Sequence, residues 1–318
     1  MEHNKVKIIF IGTPEFGAIV LEELIKGGYP PVLVVTSPDK KVGRKQVVTP
    51  PPVKIVAEKN KIPVEQPEKI KDIITKIKNI NPDLIIVAAF GQIFPKEILE
   101  IPKYGCLNVH PSLLPKYRGP SPTQFTILNG EKKSGVTIML IDDKIDHGPI
   151  VSQKEMEIEE KETAQGLHDK LALLGAKLLS EIIPQWIKKE ITAKNQDETR
   201  ATFTKILKRE DGKIDWRKPA EVLEREIRAY FSWPGNYAFW EDRGKTIKIK
   251  IIKSRVLKSP EKERYPIGQA LIVPQNEIGV QCGKDFLVIE KLQMEGKNEM
   301  AAEDFLRGHP NFTGSILK

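Results

Sequence analysis

The stretch Val6-Lys7-Ile8-Ile9-Phe10-Ile11-Gly12 is an apolar run of strand length closed by a glycine. Behind it, Glu15–Lys26 has a helical pattern that ends at Gly27-Gly28. The alternation repeats outward. Val32–Thr36, Asp83–Phe90 (DLIIVAAF, introduced by Asn81-Pro82 and ended by Gly91), Gly105–His110 and Gly135–Ile141 are further apolar runs. Helical segments, including Val53–Lys59 and Ile70–Ile80, lie between them. Continuous β-branched runs separated by helices predict an α/β domain with a mostly parallel, Rossmann-like sheet buried on both faces. Gly12 is read as the residue that lets the chain turn tightly from strand to helix.

Ala164–Ile191 closes this region as a long amphipathic stretch, with Leu167, Leu171, Leu174, Leu178, Leu179, Ile182 and Ile183 at helical spacing. Pro184 is expected to interrupt it. Asn195–Arg209 turns polar and reads as a linker. Beyond it, Pro219–Tyr230 predicts one helix, with Pro219 suited to a first turn. Short strand-like segments follow Trp233-Pro234-Gly235-Asn236: Tyr237–Trp240, Thr246–Val256, Gln269–Val273, Gly279–Cys282 and Phe286–Leu292, with Ala301–Leu306 as a closing helical turn. This pattern predicts a small OB-like β-barrel. The expected division is a domain of residues 1–205 and a second of 206–318, in keeping with 318 residues.

Bulk chemistry excludes several classes. The two cysteines, Cys106 and Cys282, have no CxxC spacing, which argues against a disulfide scaffold or structural zinc and fits a reducing compartment. The five histidines form no HxxxH pair, so no metal is expected. The N-terminus lacks the pattern of a signal peptide, and no apolar run approaches membrane-spanning length. A cytoplasmic monomer is the expectation. Lys and Arg number 51 against 43 Asp and Glu, a formal charge of +8, which is compatible with a polyanionic partner and equally with a lysine-rich proteome.

The chemistry-bearing segment is Asn108-Val109-His110-Pro111-Ser112-Leu113-Leu114-Pro115-Lys116-Tyr117-Arg118-Gly119. It starts on a buried strand and turns through two prolines at the carboxyl end of that strand, where ligands of open α/β sheets bind. The i, i+2 spacing puts Asn108 and His110 on one face. A lone histidine here is more often structural. A second polar cluster, Asp142-Asp143-Lys144-Ile145-Asp146-His147-Gly148-Pro149, follows the next strand. An amide donor, an imidazole and a carboxylate together supply the parts for acyl transfer.

The Asn108–Gly119 run closely resembles the signature of the folate-dependent formyltransferases, and Gly135–Pro149 resembles their second active-site loop. The resemblance implies that Asn108, His110 and Asp146 are catalytic and that Ser112, Leu113, Leu114 and Pro115 bind the folate. It departs at Lys144, where the family usually has glycine, and at His147; Lys144 is expected to alter the loop if that position needs positive φ.

The opening Phe10-Ile11-Gly12-Thr13-Pro14-Glu15-Phe16-Gly17 is not the dinucleotide fingerprint GxGxxG. It resembles the branch of the family that formylates Met-tRNA. That branch implies transfer of formyl from 10-formyltetrahydrofolate to the amino group of initiator Met-tRNA. The segment Ser37–Lys45 carries Lys40, Lys41, Arg44 and Lys45, which the resemblance assigns to the tRNA acceptor arm, although charged loops are commonly just solvated. Lys248 and Lys250 alternate with Ile247, Ile249 and Ile251, and a phase slip at Ile252 suggests a β-bulge before Lys253 and Arg255. The resulting row of cations is a plausible phosphate track. Alternatives are a sugar-nucleotide N-formyltransferase, an RNA-binding protein on a decayed enzyme fold and a nicotinamide oxidoreductase.

Overall fold

The computed structural model describes residues 6–43, 46–259 and 265–318, and the chain divides into two compact units. The first comprises residues 1–122, 132–158 and 166–205, and the second comprises 123–131, 159–165 and 206–318.

The first unit runs β1 (Ile8–Gly12), α1 (Glu15–Lys26), β2 (Leu33–Val35), β3 (Lys40–Val42), β4 (Val47–Thr49), α2 (Pro52–Lys59), β5 (Val64–Glu65), α3 (Ile74–Ile80), β6 (Leu84–Ala88), α4 (Lys96–Leu99) and β7 (Cys106–His110). After α5 (Pro122–Leu128), which belongs to the second unit from Thr123 on, come β8 (Lys133–Leu140), β9 (Ile150–Glu157) and α6 (Ala164–Ile187). The sheet order is β5-β2-β1-β6-β7-β8-β9. The first five strands are parallel, and the apolar runs sit where they were expected.

The strands are buried on both faces. Ile9, Ile11, Ile85, Val87 and Cys106 join one apolar cluster with Ile73, Ile77 and Ile98, while Ile8, Phe10, Ile86 and Leu107 are also fully buried. Long β-branched runs are stable only when both faces are covered, which explains why these strands lack polar alternation.

Several expectations are corrected. Gly135–Ile141 falls in β8, which runs antiparallel to β7, and the polar β9 extends the sheet as an antiparallel edge. Pro184 lies inside a continuous helix that ends at Ile187. Proline removes one amide donor, but buried Ile182 and Ile183 and the Trp186 indole bond to Tyr104 O (2.9 Å) hold the last turn in place. At Gly12 the constraint is close approach: an added Cβ would lie 2.6 Å from Ala88 O on β6. The basic segment after β2 is a hairpin in which β3 pairs β4, and Arg44 and Lys45 lie outside the described residues.

The second unit holds α7 (Ala220–Ala229) and β10 (Asn236–Asp242), β11 (Lys245–Leu257), β12 (Ala270–Val273), β13 (Glu277–Gln281), β14 (Phe286–Met294) and β15 (Met300–Ala301), then α8 (Ala302–Gly308). The antiparallel order is β10-β11-β14-β13-β12, with β15 on β14. Trp240, Phe305 and Phe312 pack edge-to-face in its core at 5.0–5.9 Å. The register of β11 on β14 shifts around Ile251–Ser254, so the phase slip read from the sequence is a real irregularity.

Candidate active site

Strand β7 aims its alternate residues in opposite directions. Val109 faces α6, where a Cβ on Gly175 would meet it at 2.6 Å, whereas Cys106 enters the opposite apolar cluster. Asn108 and His110 share the face of Cys106 and come at the carboxyl end of the strand, past the apolar core.

His110 is buried, and both its ring nitrogens have partners. Nε2 lies 3.1 Å from Tyr117 O, so a carbonyl acceptor requires the proton on that nitrogen. Nδ1 lies 3.6 Å from Asp146 Oδ1. The second Asp146 oxygen accepts from Gly119 N–H at 2.8 Å. The structure thus brings His110 and Asp146 together, with Asn108 two residues upstream on the same face, and leaves the Nδ1 edge as the one that an incoming oxygen can share.

The loop bearing Asp146 has a demanding backbone. Asp146 takes φ +48°, a left-handed conformation costing roughly 1–2 kcal/mol for most side chains and less for Asp. Gly148 passes so close to β8 that a Cβ would lie 1.9 Å from Leu140 O. Lys144 does not take positive φ, so a glycine is not needed there; its amide is capped by Asp142 Oδ1 at 3.0 Å. His147 contacts Asp142 Oδ2 at 2.5 Å through Nδ1 and lies 3.6 Å from Glu198 through Nε2.

The segment Ser112–Pro115 is an internally satisfied turn. Ser112 donates its hydroxyl to Lys116 O (2.7 Å), and Leu113 packs on Gly135. Thr137, paired with His110 across β7 and β8, donates to Ser112 O (2.7 Å) and accepts from Leu114 N–H (3.1 Å) and Gln153 Nε2 (2.8 Å). A ligand therefore meets a rigid wall here rather than free donors. Concave space lies beyond β6, the parallel neighbour of β7: a cavity of about 340 Å³ lined by Lys69, Ile70, Lys71, Gln92, Ile93 and Pro95. This space is open to solvent, and the Gln92 amide in it is already engaged, accepting from Ile70 N–H at 2.9 Å and donating to Glu68 O at 3.3 Å. Among the described residues no group of three His, Cys, Asp or Glu could hold a metal.

The polar stretch read as a linker is part of this site. Thr202 Oγ1 accepts from Tyr117 N–H (2.8 Å), Arg118 N–H donates to Thr202 O (2.9 Å), and Thr204 N–H donates back to Arg118 O (2.8 Å). The Arg118 guanidinium is 2 % exposed and donates to Gln196 and Glu198 at 2.6–3.1 Å. That guanidinium holds the Glu198 carboxyl below the usual carboxylate range. The signal that could have revealed this strap is Arg118 itself, since an arginine inside a tight turn needs acceptors from elsewhere in the chain.

The expected cationic residues fall in both units. Lys40 and Lys41 are exposed on β3 of the first unit. In the second unit Lys250 is exposed on β11, but Lys248 is half-covered, with its ammonium 3.5 Å from the Tyr237 ring centroid. Burial and the neighbouring Lys250 and Arg209 lower the Lys248 pKa. Lys253 and Arg255 are paired with Glu290, and Arg255 also with Glu277.

Residues 5–183 match the formyl transferase family, and residues 206–310 match the formyl transferase C-terminal domain. The chain is 46 % identical over 314 residues to the methionyl-tRNA formyltransferase of Bacillus velezensis, covering 98 % of this chain and 97 % of that one. It is 44 % identical over the same shares to the enzyme of that name from Bacillus subtilis. Among solved structures it is similar in fold to an N-formyltransferase from Helicobacter canadensis in complex with folinic acid and dTDP-3-aminofucose (TM-score 0.62, 22 % identity, covering 89 % of this chain and 98 % of that one). It is also similar in fold to HypX from Aquifex aeolicus in complex with tetrahydrofolic acid (TM-score 0.62, 14 % identity, covering 97 % of this chain and 48 % of that one).

Proposed function

The chain belongs to the formyl transferase family, and from that premise we propose that it formylates the methionyl amino group of initiator Met-tRNA, with 10-formyltetrahydrofolate as donor. The observation that carries this reading is the near full-length likeness to enzymes named for Met-tRNA formylation. Residues 1–205 serve as the catalytic domain and 206–318 as an OB-like tRNA-binding domain, in a cytoplasmic monomer.

The folate supplies a formyl carbon on N10. That carbon passes to the methionyl nitrogen; the C–N10 bond breaks, and one amine proton ends on N10. Addition of the amine puts negative charge on the formyl oxygen. With His110 protonated on both ring nitrogens, its Nδ1–H and the Asn108 side-chain NH₂ donate hydrogen bonds to that oxygen, and Asp146 holds the charged imidazole in place while relaying the amine proton through water. The Nε2 bond to Tyr117 O supports this assignment, because it fixes the ring with Nδ1 directed at Asp146. The turn Ser112, Leu113, Leu114 and Pro115 forms the wall against which the folate lies, supported by its internal hydrogen bonds. Lys40 and Lys41 on β3, together with Arg44 and Lys45, which lie outside the described residues, contact phosphates of the acceptor arm, and Lys248 and Lys250 contact phosphates from β11.

The test is formyl transfer from 10-formyltetrahydrofolate to Met-tRNA, with an amino-sugar nucleotide as the competing acceptor. Met-tRNA is the expected substrate, and His110→Ala is expected to lower kcat by about 10²–10³, the usual loss for an oxyanion donor. Formylation of the sugar nucleotide alone would overturn the proposal.

A further inference from the structure

We propose that Gln196 is a positioning residue for formyl transfer, bridging buried Arg118 to the loop that presents Asp146 to His110. The inference rests on the assignment of His110 and Asp146 given above. Gln196 Nε2 donates to Asp146 O at 2.9 Å and to Gly148 O at 2.8 Å. Its Oε1 accepts from Arg118 Nε at 3.1 Å and from Nη2 at 2.9 Å. Both amide protons and both oxygen lone pairs are therefore used. The amide has one acceptable orientation, because a flip would set NH₂ against guanidinium donors and oxygen against two carbonyls.

This bridge acts on the backbone that needs support. Asp146 sits at φ +48°, and Gly148 is jammed against Leu140 O. Fixing the carbonyls of residues 146 and 148 fixes peptide planes beyond Asp146 and so helps set the direction of its Cα–Cβ bond. The side chain is held separately, by Gly119 N–H on Oδ2. Arg118 and Gly119 are adjacent on the turn leaving β7, so both ends of Asp146 are referred to the segment that also holds His110 through Tyr117 O. The 3.6 Å separation of imidazole and carboxylate is then a property of one cross-braced unit. Displacements of about 1 Å at such a site cost up to ~10²-fold in rate.

A merely structural role, supplying an acceptor to buried Arg118, makes a different prediction from a positioning role. Gln196→Glu keeps oxygens for the guanidinium but has no N–H for Asp146 O or Gly148 O. Gln196→Met keeps the shape and loses every bond. Steady-state formylation of Met-tRNA by the full chain, with thermal melting of each variant, separates them. We expect both variants to lose about tenfold in kcat with KM for folate and tRNA within twofold of the parent, and Gln196→Glu to melt close to the parent. Full kcat in a folded Gln196→Glu, or a loss confined to KM, overturns the proposal. Should Gln196→Met fail to fold, Gln196→Glu decides alone. A parent chain that does not formylate Met-tRNA would instead sink the functional reading, and this inference with it.

Discussion

Replacing Thr137 with valine removes one hydroxyl and preserves shape, so its cost follows from the bonds lost. Thr137 is fully buried and serves Ser112 O, Leu114 N–H and Gln153 Nε2. Gln153 keeps a second partner in Leu114 O (2.8 Å), so the burden falls on Ser112 O and Leu114 N–H. A buried polar group left unpaired costs about 1–3 kcal/mol, and two of them give roughly 2–4 kcal/mol after some relaxation. For a unit of this size each kcal/mol lowers Tm by roughly 2–4 °C, so calorimetry should show a drop of about 8 °C. The same change loosens the Ser112–Pro115 wall, and KM for the folate should rise severalfold. Thr137→Ser, which keeps the hydroxyl, should lose far less on both counts. A valine variant that melts within about 2 °C of the parent and keeps its folate KM would refute the reasoning.

Gly148→Ala forces a Cβ into the Leu140 backbone carbonyl, so the Asp146 loop must shift; kcat should fall at least tenfold and the melting temperature should fall with it, as steady-state assays and melting would show. Lys40→Ala with Lys41→Ala should weaken tRNA affinity and flatten its log–log salt dependence by up to about two counterions, read by titration at several salt concentrations, with folate KM unchanged. Burial pushes the thiols of Cys106 and Cys282 up to about 12 from 9.0. Native chain should therefore leave a thiol reagent unreacted at pH 8, and both cysteines should react after denaturation. Between pH 9 and 12 the unfolded chain releases thiol protons that the native chain retains. Stability therefore falls across that window, and Cys106→Ala should reduce the slope in denaturant titrations.

The sequence made the strands of the parallel core legible because Ile8–Gly12 and Leu84–Ala88 are buried on both faces and carry no polar residues. Strand β9 escaped, since Ser152-Gln153-Lys154-Glu155 on a solvated edge resembles any exposed segment. Pro184 misled because propensity is local, whereas the packing that holds the last turn of α6 is not. The nearness of His110 and Asp146 was expected from residue type and from resemblance to a family. The strap 196–204 was not. Its work is done by side chains reaching backbone about 50 to 86 residues away in the chain, and polar residues so employed cannot be told from solvated ones by composition.

The strap also has a temporal consequence. A polypeptide emerging from the ribosome as far as Thr192 has every strand of the seven-stranded sheet, yet it lacks Gln196, Glu198, Thr202 and Thr204. Arg118 at that stage has no acceptors from the strap, and the loop at Asp146 has no brace. The brace on that loop should thus arrive abruptly, within the dozen residues that follow, rather than growing with the sheet.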